Sequence, residues 1–114
     1  MPSYSPVFSQ GFIYYTEDAP NTTFEVPAGF TAVVRDWDLW VEAEAGGFQL
    51  EVATGAGAPY VAVDGIVTLA ALTAYHFRGR VVVPAGGTIL YNQDTLGVGA
   101  TSYVGGYLLR NTLS

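Results

Sequence analysis

No stretch of this chain repeats its apolar residues every 3.6 positions over three turns, the pattern an amphipathic helix needs to bury one face. Apolar and polar residues alternate instead with a period of two. The clearest case is Phe48, Leu50 and Val52 interleaved with Gln49 and Glu51. A strand points successive side chains to opposite faces, so this alternation describes a sheet with one face in a core and one in water. Aromatic and β-branched residues, which suit a pleated surface, fill the runs, and Gly, Pro, Asn and Asp separate them. The chain is therefore expected to be all-β: an antiparallel β-sandwich, jelly-roll-like, with about eight or nine strands.

Strand-like runs fall at residues 7–16, 22–26, 30–45, 48–52, 60–63, 66–69, 75–83, 88–93 and 100–109. Gly11 reads as a bulge or bend in the first. The third is long for one strand and predicts a bend or bulge around residues 36–38. Asp64-Gly65 suits a two-residue type I′ hairpin. Residues 70–74 are ambiguous and have room for one helical turn, while 17–21, 54–59 and 94–99 read as turns or loops. With 114 residues the chain forms one domain. Residues 1–20 are read as an N-terminal arm and first strand, and 21–114 as the β-sandwich.

One motif occurs twice. Val26-Pro27-Ala28-Gly29 returns as Val83-Pro84-Ala85-Gly86, an offset of 83 − 26 = 57 residues, half of 114. Pro fixes φ at the second position of a turn, and Gly accepts the positive φ that closes a type I turn with a bulge. Either a common hairpin loop appears twice by chance, or the chain is built from two equivalent halves of a jelly roll.

Charge decides what such a sandwich does not do. Charged residues make up 12% of the chain and hydrophobic residues 50%, against roughly 25% charged in an average soluble protein. The net charge is −6, there is no lysine, and the basic residues are Arg35, Arg78, Arg80 and Arg110. Phosphate binding needs clustered Lys and Arg, so nucleic acid is not an expected partner. A small domain has much surface to cover, and this one has few ions to cover it with. Part of that surface is expected to be buried against other copies. With no cysteine, disulfides and thiol chemistry are excluded. The N-terminal residues lack a basic start and an apolar run, and no apolar stretch approaches the roughly 20 residues of a membrane helix, so a soluble product made in the cytoplasm, with no membrane partner, is expected.

Residues that carry chemistry are few, and no catalytic, cofactor-binding or metal-binding residue is assigned. His76 is the single histidine. It shares a strand face with Arg78 and Arg80 and lacks a nucleophile motif beside it. Gly79, Pro84, Gly86 and Asn92 fall near the spacing of the second cupin motif, but the histidine of that motif would fall at Ile89, which excludes the metal-binding form. Asp36-Trp37-Asp38 places two carboxylates on one face around a core tryptophan, too few oxygens for calcium. Arg35 lies on the opposite face of a regular strand and needs a partner or a place at the rim. The aromatics are too many for one small core. Tyr14 and Tyr15 are adjacent and must face opposite ways. Tyr and Trp are enriched at protein interfaces and present flat faces for sugars. The candidate interface or binding residues are Tyr4, Phe8, Tyr14, Tyr15, Trp40 and Tyr60, with a docking arm around Tyr4, Pro6 and Phe8.

Val26-Pro27-Ala28-Gly29-Phe30, followed by Ala32-Val33-Val34-Arg35-Asp36-Trp37-Asp38, resembles a stretch of small virion structural proteins from tailed phages that infect actinobacteria. Residues 79–88 (Gly-Arg-Val-Val-Val-Pro-Ala-Gly-Gly-Thr) and the closing Gly106-Tyr107-Leu108-Leu109 are similar to the rest of that pattern. The first 20 or so residues carry no part of it. The resemblance implies a non-enzymatic minor tail protein or head-decoration protein, resident in the virion and assembled as a homo-oligomer, often a trimer, with other virion proteins as partners. Abundant Ala, Gly and Val without lysine fit a GC-rich host. A carbohydrate-binding module for host surface glycans is the alternative function.

Overall fold

The computed structural model describes residues 9–17, 22–43, 45–55, 57–94 and 99–111. They form eight strands: β1 (Ser9–Glu17), β2 (Thr22–Glu25), β3 (Phe30–Val41), β4 (Gly46–Ala53), β5 (Val61–Leu69), β6 (Thr73–Val83), β7 (Thr88–Gln93) and β8 (Ala100–Arg110). Two four-stranded antiparallel sheets take the orders β1-β8-β3-β6 and β2-β7-β4-β5. The expected β-sandwich is the fold, in its jelly-roll form.

The internal echo follows from that topology. Exchanging β1–β4 for β5–β8 converts one sheet order into the other, read backwards. The two Val-Pro-Ala-Gly copies occupy equivalent places, between β2 and β3 and between β6 and β7. Gly29 and Gly86 both take positive φ, 85° and 82°. Phe30 N–H donates to Pro27 O at 3.2 Å and Gly87 N–H to Pro84 O at 2.9 Å. Proline therefore opens each turn at its first position, and glycine takes the third, where a type II turn requires positive φ. The expected type I turn with proline second is not formed. Val26 O is committed elsewhere: it accepts Gly86 N–H at 3.0 Å, while Val26 N–H donates to Gly87 O at 2.9 Å. The two turns thus bond to each other, and Val26 and Val83 both enter the core.

Between the sheets lie Trp37, Tyr91, Phe48, Leu39, Leu50 and Ile89, with several valines. Trp37 meets the rings of Tyr75 and Tyr91 edge-on, with centroids at 5.7 and 6.3 Å. Its indole N–H donates to Ser102 Oγ at 2.9 Å, so the largest core side chain leaves no donor unpaired.

Four local expectations are corrected. Asp64-Gly65 is no turn: β5 runs through it, with Leu50 opposite Asp64 and Gln49 opposite Gly65. Pairing with β4 outweighs the local turn signal, and register irregularities at Leu50/Glu51 and Gly46/Phe48 absorb the mismatch. Gly11 sits in regular register opposite Tyr107, without a bulge. The long third strand does carry a bulge, displaced to Arg35, between Val34 and Asp36. The ambiguous segment before β6 is a tight turn at Ala71 and Leu72, not a helical one.

Candidate functional site

The outer face of the β1-β8-β3-β6 sheet gathers most of the unusual surface. The bulge at Arg35 is what arranges it. Against β8 the strand carries one extra residue, which shifts the alternation, so Val34 and Trp37 both point inward and Arg35 turns out to solvent. Arg35 then donates from Nε to Gly79 O at 3.1 Å, which supplies the partner that sequence reasoning left open. Beyond the bulge, Asp36, Asp38 and Trp40 share the outer face.

Cross-strand register lays this face out in rows. Tyr15, Tyr103, Asp38 and His76 form one row. Ile13, Gly105, Asp36 and Arg78 form the next. Trp40 lies in the row on the other side of Tyr103, between Thr101 and Ala74. Tyr15 and Tyr103 are each about half exposed, and their rings lean on each other at 4.9 Å with a 45° tilt. Tyr15 OH donates to Glu17 Oε2 at 2.7 Å, and Trp40 Nε1–H to Glu42 Oε2 at 2.8 Å.

The charged half of the face is a single cluster. Arg78 reaches Asp38 Oδ1 through Nη1 at 2.9 Å and Asp36 Oδ1 through Nε at 3.3 Å. His76 Nδ1 lies 2.6 Å from the same Asp38 oxygen. A carboxylate only accepts, so that bond requires the histidine proton on Nδ1. Partial burial pushes the Asp38 carboxyl upward, but the hydrogen bonds and charges of His76 and Arg78 outweigh it and hold the group below the usual carboxylate range. Asp38 is ionised at neutral pH and is no proton donor.

Between the aromatic and charged halves runs a shallow groove of about 690 Å³, lined by Gly11, Phe12, Ile13, Asp36, Asp38, Tyr103, Gly105 and Gly106. One glycine of its floor, Gly106, is fixed for a steric reason. A Cβ on Gly106 would strike the carbonyl of Val33, where β8 and β3 close up beside the bulge.

The candidates read from sequence are scattered by this arrangement. Tyr4 and Phe8, with the proposed arm, lie outside the described residues. Tyr14 is corrected: it is 8% exposed and packs in the core against Phe24, because the alternation of β1 sends Tyr15 outward instead. Tyr15 and Trp40 share the outer face. Tyr60 is exposed just before β5, at the other sheet. Sequence reasoning did not single out Tyr103 or Ile13. Only the register of β8 against β1 and β3 brings them to the groove.

One further surface feature stands at the end of β3. Leu72, in the turn between β5 and β6, has φ of 58°, the left-handed region that suits glycine or asparagine. Its side chain is 70% exposed, and its N–H is tied to Val41 O at 2.7 Å, next to Trp40. Val82 and Leu109 are exposed toward the opposite end of the same sheet face.

No protein-family model and no curated protein matches the chain. Among solved structures it is similar to a chain of the structure of infectious bursal disease virus, Gx strain, with 13% identity and a TM-score of 0.38. The similarity covers 88% of this chain and 32% of the viral one, so the chain spans about a third of the length of that protein.

Proposed function

We propose that the chain is a non-enzymatic structural subunit of a virion: a minor tail protein of a tailed phage that assembles as a symmetric oligomer. The resemblance of residues 26–38 and 79–88 to phage virion proteins supports that identity and a trimer, with head decoration as the alternative position. The fold supports it physically, because a closed jelly roll presents broad, rigid faces for repetition.

The observation that carries the reading is Leu72. An exposed leucine in the left-handed region is unfavourable twice, in backbone strain and in hydrated apolar surface. A neighbour that covers the side chain removes the second penalty, and the contact offsets the first. Trp40 beside it, and Val82 and Leu109 toward the far end of the same sheet, leave apolar surface exposed at both ends of the face. Such surface is typical of subunits that live in contact. The clamped carboxylates of the groove, with Asp38 held ionised, favour binding over acid–base catalysis.

The test is antibody labelling of particles purified from the encoding phage. The chain is expected on every particle at symmetric positions, on the tail. Particles that carry none of it would overturn the assignment.

A further inference from the structure

The groove on the outer sheet face does not suit the apolar contacts proposed above. Cores of protein interfaces are depleted in aspartate, because desolvating a carboxylate against another protein is costly. Here Asp36 and Asp38 stand in the groove wall beside a half-exposed tyrosine. Arg78 and His76 grip the Oδ1 atom of Asp38, and Arg78 that of Asp36. Among the described residues the Oδ2 atoms have no partner, so each carboxylate is held in place with an acceptor to spare. Side chains two apart on a strand are about 7 Å apart at the backbone. That spacing suits hydroxyls on two sides of one sugar ring or on neighbouring rings.

Opposite the acceptors, Tyr103 is braced by Tyr15 at 4.9 Å. A braced ring offers an immobile apolar face, which is what the C–H face of a pyranose stacks on. Gly105 and Gly106 leave the floor flat, so a ring can lie against the sheet. The volume, about 690 Å³, falls in the roughly 300–1,000 Å³ of small-molecule sites. Free carboxylate oxygens and a net charge of −6 disfavour an anionic ligand.

We propose that this groove binds a neutral glycan, one pyranose ring resting on Tyr103 and its hydroxyls donating to Asp36 and Asp38. The site is open and single-sided, so each copy binds weakly, and repetition in an assembly multiplies the affinity. The inference stands whether or not the copies assemble, since every residue named belongs to one chain.

The test is an NMR titration of the ¹⁵N-labelled protein with cellobiose, mannobiose, lactose and N,N′-diacetylchitobiose, and with a sulfated disaccharide as anionic control. Sugars are taken to about 20 mM, above the roughly millimolar affinity of a shallow site. Saturable shifts at the Gly105 and Gly106 amides with at least one neutral sugar, and none with the anionic one, are expected. Gly105→Val places a side chain in the groove where the added Cβ meets Phe12 O at an ordinary 3.6 Å. It and Tyr103→Ala should each weaken binding at least tenfold with the fold retained. Leu72→Gly should leave binding per chain unchanged, which separates failure of assembly from failure of this site. No shift with any neutral sugar, binding that survives Gly105→Val, or a groove already filled by a second copy in the unliganded assembly would overturn the proposal.

Discussion

Adjacent tyrosines on β1 show how one position in an alternating run decides a residue's role. Tyr14 is inside and Tyr15 outside. Burial pushes the Tyr14 phenol up to about 12 from 10.0. In the unfolded chain it ionises near 10, while the folded chain keeps its proton. Stability is therefore lost as pH rises past 10, and the loss is complete near 12. Tyr14→Phe should flatten this alkaline limb relative to the wild type in denaturant titrations between pH 9 and 12, with a change of under about 1 kcal/mol at pH 7. Glycines 105 and 106 make a second adjacent contrast. A Cβ on Gly106 would meet the Val33 carbonyl, whereas one on Gly105 makes only an ordinary contact, 3.6 Å to Phe12 O. Gly106→Ala should cost about 3 kcal/mol or prevent folding, and Gly105→Ala should stay within about 0.5 kcal/mol, as read by chemical denaturation. Sequence alone required Tyr14 and Tyr15 to face apart but not which one faced in. That choice follows from the pairing of β1 with β8, which no local pattern contains.

At the scale of elements, the two Pro-Ala-Gly turns are the most informative parts. They are 57 residues apart in sequence and bonded to each other in space. A Cβ at Gly29 or Gly86 would touch nothing, so only the positive φ opposes alanine there. Gly29→Ala and Gly86→Ala should each cost about 1 kcal/mol, and similarly, if the halves are equivalent. Unequal costs in thermal melts would count against equivalence. The turn at Leu72 makes the opposite case. Leu72→Gly relieves strain at an exposed site, so it should raise the melting temperature of the isolated chain while weakening its association. Most strands were legible because one buried face imposes period-two alternation, as in β4 and β6. Local turn chemistry was the poorer guide. Asp64-Gly65 has the composition of a hairpin, yet it is held in β5 by its partners on β4. The bulge in β3 was foreseen near Asp36, but its consequence was not: it turns Arg35 outward and puts Asp36 and Asp38 on the face of Tyr103. Residues from β1, β3 and β8 make the groove, and their meeting depends on strand order, which the one-dimensional pattern does not encode.

For the whole molecule, the two readings of the outer sheet are compatible. Its ends are apolar, toward Trp40 and Leu72 at one and toward Val82 and Leu109 at the other, while its centre is a groove with fixed acceptors. Apolar ends suit neighbours, and a polar, aromatic centre suits a ligand. A chain with 4 + 10 = 14 charged side chains in 114 residues has little else to keep it apart from its own copies. The most direct test of that claim is the molar mass of the purified chain by light scattering, from micromolar to near-millimolar concentration. Assembly predicts a discrete multiple of 12.1 kDa, about threefold for a trimer, that falls in Leu72→Gly. A monodisperse 12.1 kDa species across the whole range would contradict it.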